Sequence, residues 1–113
     1  MMEIIKKQLA FDREHGLDEF NSRDKLEENL KYHLIAIQGE VGEIANLLKK
    51  ELRRIRMEGG EISPGFFDKA REEVADIFMY LIKLSEVLGM DLEKETERKL
   101  ERNREKFAKY RRS

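Results

Sequence analysis

With 113 residues the chain supports one compact domain, 1–113, and in a helical form it is short enough that a second copy is expected to complete its core. Its 23 Lys and Arg nearly balance 24 Asp and Glu, for a net charge of -1, which excludes general nucleic-acid binding through a basic face. The absence of cysteine excludes disulfides, thiolate nucleophiles and Cys-held metal, so any metal must rest on oxygen ligands or on the two His.

No apolar run approaches the roughly 20 residues of a membrane span, and MMEIIKKQL lacks the apolar core and cleavage site of a signal peptide. The expectation is a cytoplasmic protein with no membrane partner. Ile4, Ile5, Leu9 and Phe11, spaced among Lys and Glu, predict a short amphipathic helix over 2–14 that stops at Gly16. The stretch LDEFNSRD is a connection, so 1–23 reads as a helix plus linker, with Asn21, Ser22 and Asp24 as candidate caps for the next element.

From 24 to 57, Leu26, Leu30, Leu34, Ile37, Val41, Ile44, Leu48, Leu52 and Ile55 recur at intervals of three and four, which predicts one long helix with a continuous core stripe. Inside it KYHLIAIQGEVGEIANLLK is apolar or neutral apart from its end lysines, Glu40, Glu43 and His33. Two carboxylates one turn apart on an apolar helix need a partner, because an unpaired buried carboxylate is costly. Gly39 and Gly42 each weaken a helix by about 1 kcal/mol relative to Ala, so something is expected to approach the backbone there, a neighbouring helix or a ligand. His33 is read as a satisfied core histidine.

GGEISPG, residues 59–65, holds the sole Pro and is the clearest break; here the chain turns back. A third helix over 66–88 carries Phe67, Ala70, Val74, Ile77, Phe78, Leu81, Leu84 and Leu88, with Asp76 the sole charge between Glu73 and Lys83. Gly89 ends it. Asp91 can cap a fourth helix over 91–110 that has few apolar positions and is mostly solvated.

If the second and third helices pack antiparallel, Glu40 and Glu43 face Glu73 and Asp76 across the seam. Four hard oxygen donors on facing helices suit Mg2+ or Mn2+. The competing reading has Glu40 and Glu43 border the core and pair with Lys49, Lys50 or Lys83 of another chain. A carboxylate-bridged di-iron bundle requires a Glu followed three residues later by His, which neither His15 nor His33 provides. The expected fold class is all-α: long antiparallel helices forming a four-helix-bundle-type core completed by dimerisation or by a dimer of dimers.

QGEVGEIANLLKK, EEVADIFMYLIKLSEVLGMDL and KLERNREKF together closely resemble the MazG-like all-α nucleoside triphosphate pyrophosphohydrolases, particularly the small group that includes dCTP pyrophosphatases. The resemblance covers roughly 29–107, and its signature, Glu-x-x-Glu on one helix and Glu-x-x-Asp on the next, is met by Glu40, Glu43, Glu73 and Asp76. It implies Mg2+-dependent cleavage of a nucleoside triphosphate between its α and β phosphates, with all four acids as metal ligands and Glu43 or Glu40 orienting or deprotonating the attacking water. It further implies that Lys99 and Asn103 contact phosphate and sugar and that Tyr80 faces the nucleotide, against the plainer readings of a solvated Lys99 and a core Tyr80. Phe11, Phe20 and Asn21 are its candidates for the base pocket, although Leu17 stands where relatives often carry an indole and Asn21 where some carry His. The alternatives are a helical oligomer that binds nucleotide or protein without turnover, and a pyrophosphohydrolase acting on phosphoribosyl-ATP.

Overall fold

The apolar period of the sequence becomes four helices, and no strand occurs among the described residues, 2–112 of the computed structural model. Met1 and Ser113, the ends of the expected domain, lie outside them. The helices are α1 (Glu3–Glu14), α2 (Leu26–Glu58), α3 (Pro64–Leu88) and α4 (Leu92–Lys106), with short 3-10 turns at Asp18–Asn21 and Ala108–Tyr110. The fold is all-α, as expected. The fourth helix ends earlier than 110 because the chain tightens into the second 3-10 turn.

α2 and α3 form the hairpin anticipated around the Gly-rich break. α3 begins at Pro64, two residues before the expected Phe66, because proline at the first helical position lacks only an N–H that has no partner there anyway. Its amino end is held by α2: the Glu51 carboxylate accepts from Ser63 N at 2.9 Å and from the Ser63 hydroxyl. Gly89, at φ +67°, closes α3 in the left-handed conformation, and Asp91 Oδ1 accepts from Lys94 N at 3.1 Å to cap α4.

None of the candidate caps for α2 serves as one. Lys25 occupies the cap position, while Ser22 Oγ accepts from Asp24 N within the connection. The buried Asn29 holds that connection instead, donating through Nδ2 to the carbonyls of Glu19 (3.0 Å) and Ser22 (2.8 Å). His33 is fully buried; facing a carbonyl acceptor, its Nε2 must donate to Phe20 O, at 2.7 Å. That bond assigns the neutral tautomer with Nδ1 bare, and Nδ1 has no partner, so the histidine is half satisfied. Burial pushes its pKa down, which favours the same neutral form.

α1 and the first 3-10 turn lie against α3, while α4 packs on none of the other helices to any comparable extent. One chain therefore supplies a long hairpin plus α1, and two long antiparallel helices rather than four. Ile5, Ile82 and Val87 are the hydrophobic side chains fully withdrawn from water among the described residues, too few for a core. The radius of gyration is 18.2 Å, against about 13 Å for a compact domain of this length. No helix among the described residues is long and apolar enough to cross a membrane.

Candidate metal and nucleotide cleft

Helical spacing and the hairpin register bring three of the four singled-out acids together. One carboxylate oxygen from each of Glu40, Glu73 and Asp76 lies within 4.8 Å of the others, and all three residues are half-buried. Glu43, one turn beyond Glu40, is exposed and outside this tight group, but it touches Glu73. Neither Lys49, Lys50 nor Lys83 neutralises the cluster within the chain. Lys83 is paired with Asp12 instead.

The cluster is electrostatically incomplete. Glu40 Oε2 and Glu73 Oε2 are both out of water with no protein donor. Contact with Glu40, then burial, holds the Glu73 carboxyl above its ordinary range, and contact with Glu73 does the same to Glu43. Two carboxylates in contact cannot both ionise cheaply without a cation between them. The donor set, carboxylate oxygens on facing helices with bare lone pairs, fits a hard divalent cation such as Mg2+ or Mn2+. Glu40, Glu73 and Asp76 would hold it.

The acids open onto a cleft of about 430 Å3 between α1 and the α2–α3 hairpin. Glu40 and Asp76 line it, with Ile4, Phe11, Met79 and Tyr80 as apolar and aromatic walls and Lys7, Gln8 and Lys83 as polar groups. Tyr80 lines the cleft and also packs near the His33 ring, with centroids 6.1 Å apart. Burial raises its phenol pKa. Phe11 lines the same cleft and stacks on His15, with centroids 4.1 Å apart.

The other expected contacts fall elsewhere. Phe20 stacks on Tyr32, at 4.8 Å, and lines a separate depression beside Asn29. Asn21 is turned into the fold, donating to Asp12 Oδ2 at 2.8 Å. Lys99 and Asn103 share one face of α4, as their spacing requires, but line a different hollow with Met90 and Leu100. Because α4 stands away from the hairpin, one chain does not bring that pair to the acids. Gly39 and Gly42 are also exposed, with nothing within 4 Å of the space a side chain would fill, so no helix of the same chain approaches them.

Asp12, Gln8 and Lys83 are the functional candidates that the sequence did not mark as a group. Lys83 alone carried a usable signal: it interrupts an apolar run as Asp76 does. Asp12, flanked by Phe11 and Arg13 on a short charged helix, gives none, yet it is fully buried. No family model matches the chain, and no characterised protein or solved structure matches it either.

Proposed function

We propose that this chain is a divalent-metal-dependent nucleoside triphosphate pyrophosphohydrolase that works as a homodimer and releases a nucleoside monophosphate and pyrophosphate. The observation that carries the reading is the convergence of Glu40, Glu73 and Asp76, with two donorless buried oxygens, at one end of an aromatic-walled cleft. The resemblance of QGEVGEIANLLKK and EEVADIFMYLIKLSEVLGMDL to MazG-like enzymes points the same way. An acidic pocket repels a triphosphate, and a divalent cation on these three acids would reverse the local field and stabilise charge on the phosphates.

The chain's own residues then have distinct tasks. Phe11, Met79 and Tyr80 offer flat or flexible apolar surface to a base and keep water from it. Glu43, exposed beside the three acids, is placed to take the proton from the attacking water as the new oxygen–phosphorus bond forms and the bridging oxygen between the α and β phosphates leaves. Glu40, one turn away on the same helix, orients that water. Lys99 and Asn103, standing off on α4, would reach a site only across a dimer, where they would contact phosphate and sugar of a neighbouring cleft.

The test is pyrophosphate release from a panel of ribo- and deoxynucleoside triphosphates and phosphoribosyl-ATP, with and without Mg2+. Release is expected only with the metal, and Glu40→Gln and Asp76→Asn are each expected to lower it at least 100-fold with helicity unchanged. Binding of nucleotide with no release above the Asp76→Asn background would replace the enzyme with a binding module. Release from phosphoribosyl-ATP alone would redirect the substrate.

A further inference from the structure

Two residues that line the cleft, Gln8 and Lys83, are held by a carboxylate that the proposed chemistry does not use. Asp12 is fully buried. Its Oδ1 accepts from Gln8 Nε2 at 3.0 Å and lies 3.4 Å from Lys83 Nζ, while Oδ2 accepts from Asn21 Nδ2 at 2.8 Å. An ionised carboxylate only accepts, so both amides must turn their NH2 groups toward it. Gln8 keeps its carbonyl oxygen, a free acceptor, and one further N–H. Lys83 carries three N–H groups and spends at most part of them on Asp12.

Gln8 and Lys83 both line the cleft that contains Glu40 and Asp76. Because their nitrogens converge on one oxygen of Asp12, an amide group and a cationic donor stand side by side there. Lys83 Nζ also lies 5.3 Å from the centre of the Tyr80 ring, the aromatic wall of the same cleft. A strut between α1 and α3 needs none of this, since an apolar pair of similar volume holds two helices without the cost of desolvating two charges.

We propose that Gln8 and Lys83, positioned by Asp12, read the base, and that they select nucleotides whose base carries a lactam edge. In uracil, thymine, guanine and hypoxanthine a ring N–H stands next to a C=O; the N–H donates to Gln8 Oε1 and the C=O accepts from Lys83 Nζ. Cytosine and adenine reverse the pattern, setting an amino group against the ammonium and a ring nitrogen against the amide oxygen. The mismatch leaves desolvated polar groups unpaired, the situation in which a polar site discriminates strongly. Gln8 and Lys83 touch the base in this scheme, and Asp12 and Asn21 are positioning residues.

The inference rests on the nucleotide reading of the cleft, and the experiment separates the two. Isosteric pairs, dUTP against dCTP and ITP against ATP, are compared by kcat/KM with Mg2+, and the α,β-methylene analogues of dUTP and dCTP are compared by affinity. Wild type is expected to favour the keto member of each pair by about 100-fold or more. Lys83→Met is expected to bring both ratios to within about threefold of unity, and Asp12→Asn to lower them while the better substrate is still turned over. Gln8→Met, which leaves the ion pair intact, is expected to cost about tenfold in the ratio even if Lys83→Met fails to fold. Hydrolysis with no keto preference, or a preference unchanged in a folded Lys83→Met or Gln8→Met, overturns the base-reading role and leaves the enzyme standing. If no nucleotide is hydrolysed or bound, the nucleotide reading fails and takes this one with it.

Discussion

Contact with Glu40 keeps a proton on Glu73 that the unfolded chain releases, and contact with Glu73 does the same for Glu43. The folded state therefore binds more protons than the unfolded one over the window from the ordinary glutamate value of 4.5 up through the raised values. Stability of the metal-free protein falls as pH rises through that window, and above it the full repulsion is present. A divalent cation that relieves the repulsion competes with those protons. Mg2+ is thus expected to raise Tm by several degrees at pH 8 and by little at pH 5, and Glu73→Gln is expected to flatten both the pH trend and the Mg2+ increment. Scanning calorimetry at the two pH values, with and without Mg2+, checks this; an equal increment at both would mean that the cation binds elsewhere. Glu40, Glu43 and Asp76 were legible because each interrupts an apolar stretch, whereas Glu73, in the charged run Arg71–Glu73, stood out only by its spacing from Asp76. Asp12 and Asn29 were not legible, since burial of a polar side chain depends on which segments fold over it, and each is followed or preceded by charged residues as an ordinary surface position would be.

Pattern reading located all four helices within a few residues, because a three-four spacing of Leu, Ile and Val is the cause of the burial it predicts. The boundaries moved where a side chain from another element intervenes, which local sequence does not display. Glu51 is the clearest case: nothing in the local sequence marks it, yet it holds Ser63 at the start of α3 and receives Arg54 Nε at 3.0 Å, while Arg54 also donates to Glu61 O. The hydrogen bonds from Ser63, then Arg54, hold its pKa below the ordinary range. A carboxylate depressed by folding contributes stability above its unfolded pKa and loses it as pH falls through the folded one. Glu51→Ala is expected to lower Tm by about 5 °C at pH 7 and by progressively less below pH 4.5, measured by circular dichroism against wild type. A constant difference across that range would assign the loss to packing rather than to the charged bond.

Phe67, Val74, Leu81 and Leu88 fall seven apart on α3 and are all exposed, on the face opposite Asp76 and Lys83, and Leu34, Val41 and Leu52 are exposed on α2. In an antiparallel pair these two stripes look out on the same side, so the hairpin has α1 and the cleft on one face and a long apolar seam on the other. The sequence expectation of a second copy came from chain length; the seam and the unsupported α4 give it a location. A helix of 15 residues with α4's composition is marginal alone in water, and Leu100 on it and Phe107 at its carboxyl end are exposed too. A homodimer that buries the hairpin seams and docks α4 would supply the missing core. The wild type is accordingly expected to sediment at twice the chain mass of 13.5 kDa at micromolar concentration. Val74→Asp, at a position already 58% exposed in one chain, costs little in the monomer but puts a charge in the seam, worth about 3 kcal/mol or a hundredfold in Kd. The variant should run as a monomer, lose helical signal equivalent to α4, and, if Lys99 and Asn103 act across the dimer, lose nucleotide turnover while Glu40, Glu73 and Asp76 stay assembled. A monomeric wild type, or a Val74→Asp protein that remains dimeric, would remove the seam as the interface.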